Sequence, residues 1–217
     1  MVGTAEVTSG GRRRPVAEEY YADRLFNALE RNDPAPGMLL VAAPGMESEG
    51  FARSVVLVIE HNDALTFGVN LASRSDVAVH NVMPEWVELV AKPQALYIGG
   101  PLQQQSVVGV GVPAQGVEVE AHPYLNRLAN RLAMVDLRAE PEALRGDLEG
   151  MRLFAGYAEW GPGQLLEEIE RGDWYVAPAL PSDVVAPGRS DLWSEVMRRQ
   201  PMPLPLFSTY PVDAGEN

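Results

Sequence analysis

Residues 38–60, which read MLLVAAPGMESEGFARSVVLVIE, decide the fold. The two ends of this stretch, residues 38–43 and 54–60, are apolar runs of strand length without polar alternation, a pattern typical of strands buried on both faces. The link between them is polar and rich in glycine, so we expect Phe51 to turn inward and anchor a loop. Because such strands need cover on both sides, the stretch predicts a sheet with other elements packed against it.

Strand and helix patterns interleave along the rest of the chain. Residues 61–63 predict a turn into a second hairpin strand over residues 65–70. Further strands are predicted over residues 95–98, 107–112, 132–137, 151–157 and 174–177, and helices over residues 18–31, 85–91, 141–149, 164–171 and 191–199, the last capped by Asp191. Since no polar linker divides the middle of the chain into two domains, the pattern predicts an α/β (mixed α+β) fold in which helices pack on a mixed sheet. We expect a disordered tail over residues 1–17 and a single compact domain over residues 18–217 that ends in a helical extension.

Charge and composition exclude several classes of function. The 217 residues carry 17 Lys+Arg against 30 Asp+Glu, a net charge of −13, which argues against unspecific binding of nucleic acid. Residues 1–14 hold three Arg and one Glu, so their net charge of +2 leaves −15 on the remaining 203 residues. The less favoured interpretation of this tail is that the three arginines at positions 12–14 make an electrostatic contact with a partner. Zero cysteines exclude disulfides and thiolate metal sites, and no apolar run approaches membrane-spanning length, so we expect a cytoplasmic protein with no membrane contact.

Motifs for catalysis, metals and cofactors are mostly absent. The sequence lacks Gly-x-Ser-x-Gly, a phosphate-binding loop and His-Glu-x-x-His, and we expect no cofactor. Its three histidines, His61, His80 and His122, stand 19 and 42 residues apart, so we expect ordinary histidines and no metal. Glu60 and His61 follow a predicted strand and could supply a general base and acid, although a solvated hairpin turn needs the same polar residues.

The turn before the predicted helix at residues 164–171 is a second candidate. The segment Gly161-Pro162-Gly163-Gln164 could bind an anion, because unsatisfied amides and the positive end of the helix dipole converge there. Glutamates 167 and 168 follow closely and would repel an anion, and with Glu170 they predict a solvated helix face. We therefore expect a structural turn with Trp160 packed beneath it, and leave open a small uncharged ligand or a protein partner.

Three motifs carry a resemblance to a known family. They are Gly99-Gly100-Pro101, the block GYAEWGPGQL at residues 156–165, and Asp173-Trp174, and together they resemble the bacterial YqgE/AlgH family. Residues 51–56 and Glu60-His61 are similar to its amino-terminal block, and residues 191–210 look like the carboxyl-terminal part of actinobacterial members. The resemblance implies one compact domain in the bacterial cytoplasm, with no agreed reaction, catalytic residue or cofactor, and a link to transcriptional regulation in one branch. Residues 68–72 follow another segment of the family only in part, and the asparagine of that segment, Asn70, is retained as a candidate polar contact.

These observations favour a non-enzymatic binding or regulatory protein. It would recognise a protein or a small ligand through residues on two loops and one strand end: Asn70, Gly99, Gly100, Pro101, Trp160, Gly161, Pro162, Gly163 and Gln164. The alternative is a hydrolase-like enzyme in which Glu60 and His61 act as acid and base. A direct DNA-binding regulator is the weaker third hypothesis, because residues 15–217 carry −15.

Overall fold

The computed structural model describes residues 32–46, 50–185 and 191–210, so the predicted tail over residues 1–17 and the predicted helix over residues 18–31 lie outside it. The described part is dominated by strands: β1 Met38–Ala42, β2 Val55–His61, β3 Thr66–Asn70, β4 Arg74–Ala78, β5 Ala95–Ile98, β6 Leu102–Pro113, β7 Leu125–Arg127, β8 Ala133–Val135, β9 Leu148–Trp160 and β10 Trp174–Pro178. Its α-helices are short: α1 Gln164–Arg171, α2 Pro181–Val185 and α3 Leu192–Arg198. Among these described residues, no helix has the length and apolar character needed to cross a membrane.

The strands form one sheet in the order β10-β1-β2-β3-β9-β6-β8-β7. All pairings along this path are antiparallel, and β5, which also pairs with β4, joins β9 in parallel. The sheet is therefore mixed, and the fold is α/β in a sheet-dominated form with few helices. The 13-residue β9 connects its two halves, because residues 148–157 pair with β6 while the last three residues pair with β3.

The two strands of the opening stretch are buried as predicted. Leu40 and Ala42 of β1 contact a cluster that α1 completes with Leu165 and Ile169. Leu39 and Val41 point to the opposite face of the strand and are also fully buried. Helix α3 packs against β1 as well, and the Trp193 indole donates a hydrogen bond to the carbonyl of Ala42 (2.8 Å). Cover on both faces of the strand is thus confirmed.

Two predicted helices are wrong. The segments at residues 85–91 and 141–149 contain short 3₁₀ helices, Pro84–Trp86 and Pro141–Leu144. In the second segment β9 already begins at Leu148, which pairs with Pro113 of β6. Long-range strand pairing therefore overrides the local helical pattern there. The predicted strand at residues 132–137 is shorter, and that at residues 151–157 is longer, than expected.

The helices at residues 164–171 and 191–199 are confirmed. Gly172 has a φ of +87° and its amide donates to the carbonyl of Ile169 (3.0 Å), which closes α1. The side chain of Asp191 caps α3 by accepting a hydrogen bond from the amide of Ser194 (3.0 Å). The sequence pattern missed β4 and α2, which are short and partly polar.

Candidate functional site

The predicted site residues fall at two ends of β3. At one end Thr66 pairs with His61 of β2 and with Trp160 of β9, so these three residues form a row across the sheet. At the other end the amide of Asn70 donates to the carbonyl of Gly99 (2.8 Å). Thr66 and Asn70 stand four positions apart on the strand, so the two ends are separated by about 13 Å. The structure therefore brings His61 near the loop before α1, and it places the loop after β5 elsewhere.

The loop after β5 is a close crossing of two chain segments. A Cβ atom on Gly99 would lie 2.2 Å from the carbonyl oxygen of Gly156, and one on Gly100 would lie 2.1 Å from the carbonyl carbon of Tyr157. Gly156 itself has a φ of +69°, and a Cβ there would lie 2.6 Å from the carbonyl oxygen of Leu102. These glycines allow the turn between β5 and β6, which includes the exposed Pro101, to lie against the backbone of β9.

Asn70 is engaged in internal hydrogen bonds. Its side-chain oxygen accepts from the amides of Ala72 (2.9 Å) and Val55 (3.4 Å), and its Nδ2 donates to the hydroxyl of Ser54 (3.0 Å). The residue is 7 % exposed. The carboxamide therefore holds the turn that follows β3, and all of these contacts are with its own chain.

Helix α1, which follows the predicted loop, contains a carboxylate that binds two indoles. Glu168 Oε2 accepts hydrogen bonds from Nε1 of Trp160 (2.7 Å) and Nε1 of Trp174 (2.9 Å), and its Oε1 accepts from Nε2 of Gln164 (3.0 Å). Gln164 Oε1 in turn accepts from the amide of Gly161 (3.1 Å). The prediction that Glu168 belongs to a solvated helix face is wrong, because the indole donors need an acceptor where they are buried.

Aromatic packing fixes the same helix to the sheet. The rings of Phe51 and Trp174 meet edge-on with centroids 5.7 Å apart, and Trp160 meets Trp174 in the same way at 5.8 Å. The predicted inward turn of Phe51 is confirmed, and Trp160 lies buried beneath the loop as expected. Gly161, Pro162 and Gly163 are exposed above this cluster.

Glu60 and His61 have separate partners. His61 Nδ1 is hydrogen-bonded to the hydroxyl of Thr66 (2.7 Å), which is 3 % exposed, while Glu60 accepts from the side-chain amide of Asn62 (2.7 Å). Asn62 also accepts from the amide of Leu65 (3.1 Å) and closes the hairpin. No hydrogen bond or ion pair joins Glu60 to His61 within the part of the chain that the structure describes. In this conformation the segment is a hairpin turn, without an assembled acid–base pair.

The other two histidines lie apart from this end of the sheet. The amide of Tyr124 donates a hydrogen bond to Nδ1 of His122 (3.2 Å), and Nε2 of the same ring lies 3.3 Å from a carboxylate oxygen of Asp147. Both ring nitrogens are therefore engaged, and His80 is exposed. Across residues 32–46, 50–185 and 191–210, no three His, Asp or Glu side chains come together in a way that could hold a metal ion.

Two concave regions contain none of the predicted site residues. A cavity of about 330 Å³ lies beside the β7–β8 hairpin and is lined by Arg127 and Arg131 among others. Another, of about 360 Å³, lies where β8 diverges from β6, between Phe67, Val107 and Leu137. Sequence reasoning missed both because the residues that line them carry no recognisable motif.

Comparison with known proteins gives consistent matches. A family model described as AlgH-like (DUF179) matches residues 39–205. A UPF0301 protein of Corynebacterium efficiens is 71 % identical over 199 residues, covering 92 % of this chain and 99 % of its own, and one of Mycobacterium tuberculosis is 48 % identical over 181 residues, covering 83 % and 90 %.

Two solved structures also match. The crystal structure of a Corynebacterium diphtheriae protein has 73 % identity and a TM-score of 0.85, covering 88 % of this chain and all of that one. The solution structure of the AlgH protein from Pseudomonas aeruginosa has 22 % identity and a TM-score of 0.59, covering 84 % and 98 %, which shows a shared fold.

Proposed function

Since this chain belongs to the AlgH-like family, as its motifs predicted, we propose that it is a non-enzymatic binding protein of the bacterial cytoplasm that docks a basic protein partner on α1. The docking surface is the outward face of that helix, which we define as Leu166, Glu167 and Glu170, together with the exposed loop formed by Gly161 to Gly163. Of the two loops predicted from the sequence as binding sites, this proposal includes the loop before α1 and leaves out the loop after β5.

The observation that supports the proposal most directly is an exposed leucine on a fixed helix. Leu166 is 47 % exposed on a helix that Glu168 ties to two buried indoles. A surface that is already rigid loses little conformational entropy when a partner binds. An apolar side chain within a polar rim is also the usual anatomy of a protein–protein contact.

The charge of this face indicates the chemistry of the partner. Glu167 and Glu170 are both exposed beside Leu166, whereas the nearby Arg171 is engaged by Asp173 (2.5 Å). The chain as a whole carries a net charge of −13. Both the local and the long-range field therefore favour association with a basic surface, and they do so most strongly at low ionic strength.

A crosslinking experiment tests this proposal. A photoreactive residue replaces Leu166 in one variant and Leu206, 66 % exposed on the carboxyl-terminal segment, in a control variant. We expect position 166 alone to crosslink an actinobacterial protein of basic isoelectric point, and we expect the yield to fall when Glu167→Lys is added or salt is raised. Equal crosslinking from both positions, or an acidic partner at position 166, would contradict the proposal.

A further inference from the structure

The cavity beside the β7–β8 hairpin has the composition of a small-molecule site and lies outside α1. We propose that it binds a small carboxylate with an apolar body. Its volume is about 330 Å³, and its apolar walls include Val117, Leu128 and Leu132. Arg127 and Arg131 supply the positive charge among its lining residues.

The size of the cavity suits a ligand with one ring or a short branched chain. A cavity of about 150 Å³ can hold benzene, so about 330 Å³ leaves room for a ring together with a carboxylate. Ligand sites in proteins commonly start near this volume, with apolar walls and a few polar groups that fix orientation. The side chain of Gln115 is a further polar group at this cavity.

Each arginine is already paired with a carboxylate that a ligand could replace. Arg127 pairs with Glu120, and both side chains are 62 % exposed. Arg131 pairs with Glu149, and these side chains are 50 % and 44 % exposed. Ion pairs this exposed contribute little to stability, so exchanging the glutamate for a ligand carboxylate keeps the charge-assisted hydrogen bonds at small cost.

The backbone of the hairpin turn is strained at one of these arginines. Asn130 and Arg131 both have a φ of +59° in the turn that the amide of Leu132 closes on the carbonyl of Ala129 (3.2 Å). Asn and Gly adopt this conformation readily, but a long side chain does so at a cost. Strained residues of this kind cluster at binding sites. Nη2 of Arg131 also donates to the carbonyl of Pro113 (3.2 Å), which holds the guanidinium at the cavity.

The glutamates that compete for the arginines allow a test in which one substitution should strengthen ligand binding and another should weaken it. If a ligand carboxylate replaces Glu149 at Arg131, then Glu149→Gln removes the competitor and tightens binding. Arg131→Gly relieves the strained turn and removes the guanidinium, so it weakens binding while the hairpin remains formed. A site that was merely apolar would respond in neither direction.

Calorimetric titration of the full chain with benzoate tests these expectations, with benzamide as the neutral isostere. We expect saturable benzoate binding, at least tenfold weaker binding of benzamide, and a loss of at least tenfold with Arg131→Gly. With Glu149→Gln we expect a gain of several-fold. Arg145→Gln is the matched control, because Arg145 also pairs with an exposed glutamate, Glu88, but lines neither cavity, and it should leave the affinity unchanged.

Several results would overturn the proposal. They are the absence of saturable benzoate binding in both the parent and Glu149→Gln, equal affinity for benzamide, and a loss with Arg145→Gln as large as that with Arg131→Gly. If circular dichroism shows that Arg131→Gly is unfolded, Arg127→Gln takes its place with the same expected loss, and unchanged binding by that variant would also overturn the site.

Discussion

The carboxylate of Glu168 accepts hydrogen bonds from three side chains, two of which are the indoles of Trp160 and Trp174. Removing it leaves two indole N–H groups without a partner in a cluster where those tryptophans are 3 % and 4 % exposed. Because an unsatisfied buried donor costs about 1–3 kcal/mol, we expect Glu168→Ala to lower the free energy of unfolding by about 2–4 kcal/mol. Urea denaturation followed by tryptophan fluorescence measures this change.

The neighbouring Glu167 supplies the control for that measurement. Glu167 is exposed on the outer side of α1, so we expect Glu167→Ala to change stability by less than about 0.5 kcal/mol. Equal effects of the two substitutions would mean that water satisfies the indoles, and that the carboxylate does not fix the helix.

The glycines of the β5–β6 crossing allow a second test at single residues. Gly156 and Gly116 both have positive φ, +69° and +88°, so alanine is strained at either position. A Cβ on Gly116 meets nothing within 4 Å, whereas one on Gly156 lies 2.6 Å from a backbone oxygen. We expect Gly116→Ala to cost about 1 kcal/mol and Gly156→Ala to cost about 3 kcal/mol or more in thermal or urea unfolding. Similar costs would show that β9 can move away from the turn between β5 and β6.

At the scale of elements, the carboxyl-terminal helix α3 depends on one arginine of the loop before β2. The guanidinium of Arg53 lies 4.2 Å from the ring centroid of Trp193, pairs with Asp191, and donates to the hydroxyl of Ser194 (3.0 Å) and the carbonyl of Tyr210 (2.6 Å). These contacts join the start of α3 and the end of the described chain to the sheet. The cation–π contact and the capping carboxylate reinforce each other because both hold the same side chain.

Asp191 makes the attachment of α3 sensitive to acid. Burial alone would raise the pKa of Asp191, but hydrogen bonds from Ser194 and the charge of Arg53 outweigh it and lower the pKa below its usual value. A lowered pKa in the folded state contributes stability above the unfolded pKa, near 3.9, that is lost as the pH falls through the folded value. Asparagine can still cap the helix but lacks the charge that pairs with Arg53, so we expect Asp191→Asn to cost about 1 kcal/mol or less at pH 7 and to remove this acid dependence.

Hydrogen exchange of α3 at a series of pH values measures the effect. The amides of α3 in the parent should lose protection on acidification, after correction for the intrinsic exchange rate, and those of Asp191→Asn should be less protected at neutral pH with a flatter profile. Glu195→Gln serves as the control for removing a carboxylate within the same helix. Identical profiles for the parent and Asp191→Asn would contradict the role of this ion pair.

Local signals account for the elements that were predicted well. The apolar period and Gly172 define α1, and the Asp191 cap defines α3, because these interactions lie within a few residues of each other. The helices predicted at residues 85–91 and 141–149 failed because nearby strand pairing, which is not visible in a local window, decides those segments. The same reasoning applies to the site. Glu168 looked like one of three equivalent glutamates, and only tertiary contacts distinguish it.

At the scale of the whole molecule, the balance of ionisable groups sets how stability depends on pH. The chain has 30 Asp and Glu side chains and 17 Lys and Arg side chains. Only one of the 17 is a lysine, Lys92, and the other 16 are arginines, which stay charged at alkaline pH. Between neutrality and strong alkali, the seven tyrosines are therefore the main groups that titrate. A half-buried phenol on the sheet should consequently affect the stability of the entire fold at alkaline pH.

Tyr175 of β10 is that phenol, because burial raises its pKa from 10.0 to about 12. As the pH rises above the unfolded value, the unfolded chain releases this proton while the folded chain retains it, so stability falls from about pH 10 until the folded pKa is reached. The full shift corresponds to nearly 3 kcal/mol, and partial exposure of the ring reduces the expected loss to about 1–2 kcal/mol. Urea unfolding at several pH values from about 8 to about 11.5 should show a shallower decline for Tyr175→Phe than for the parent, since phenylalanine has no proton to release. Tyr210→Phe, which removes an exposed phenol, is the matched control, and a decline equally shallow in both variants would show that burial at β10 does not govern the alkaline limit of the fold.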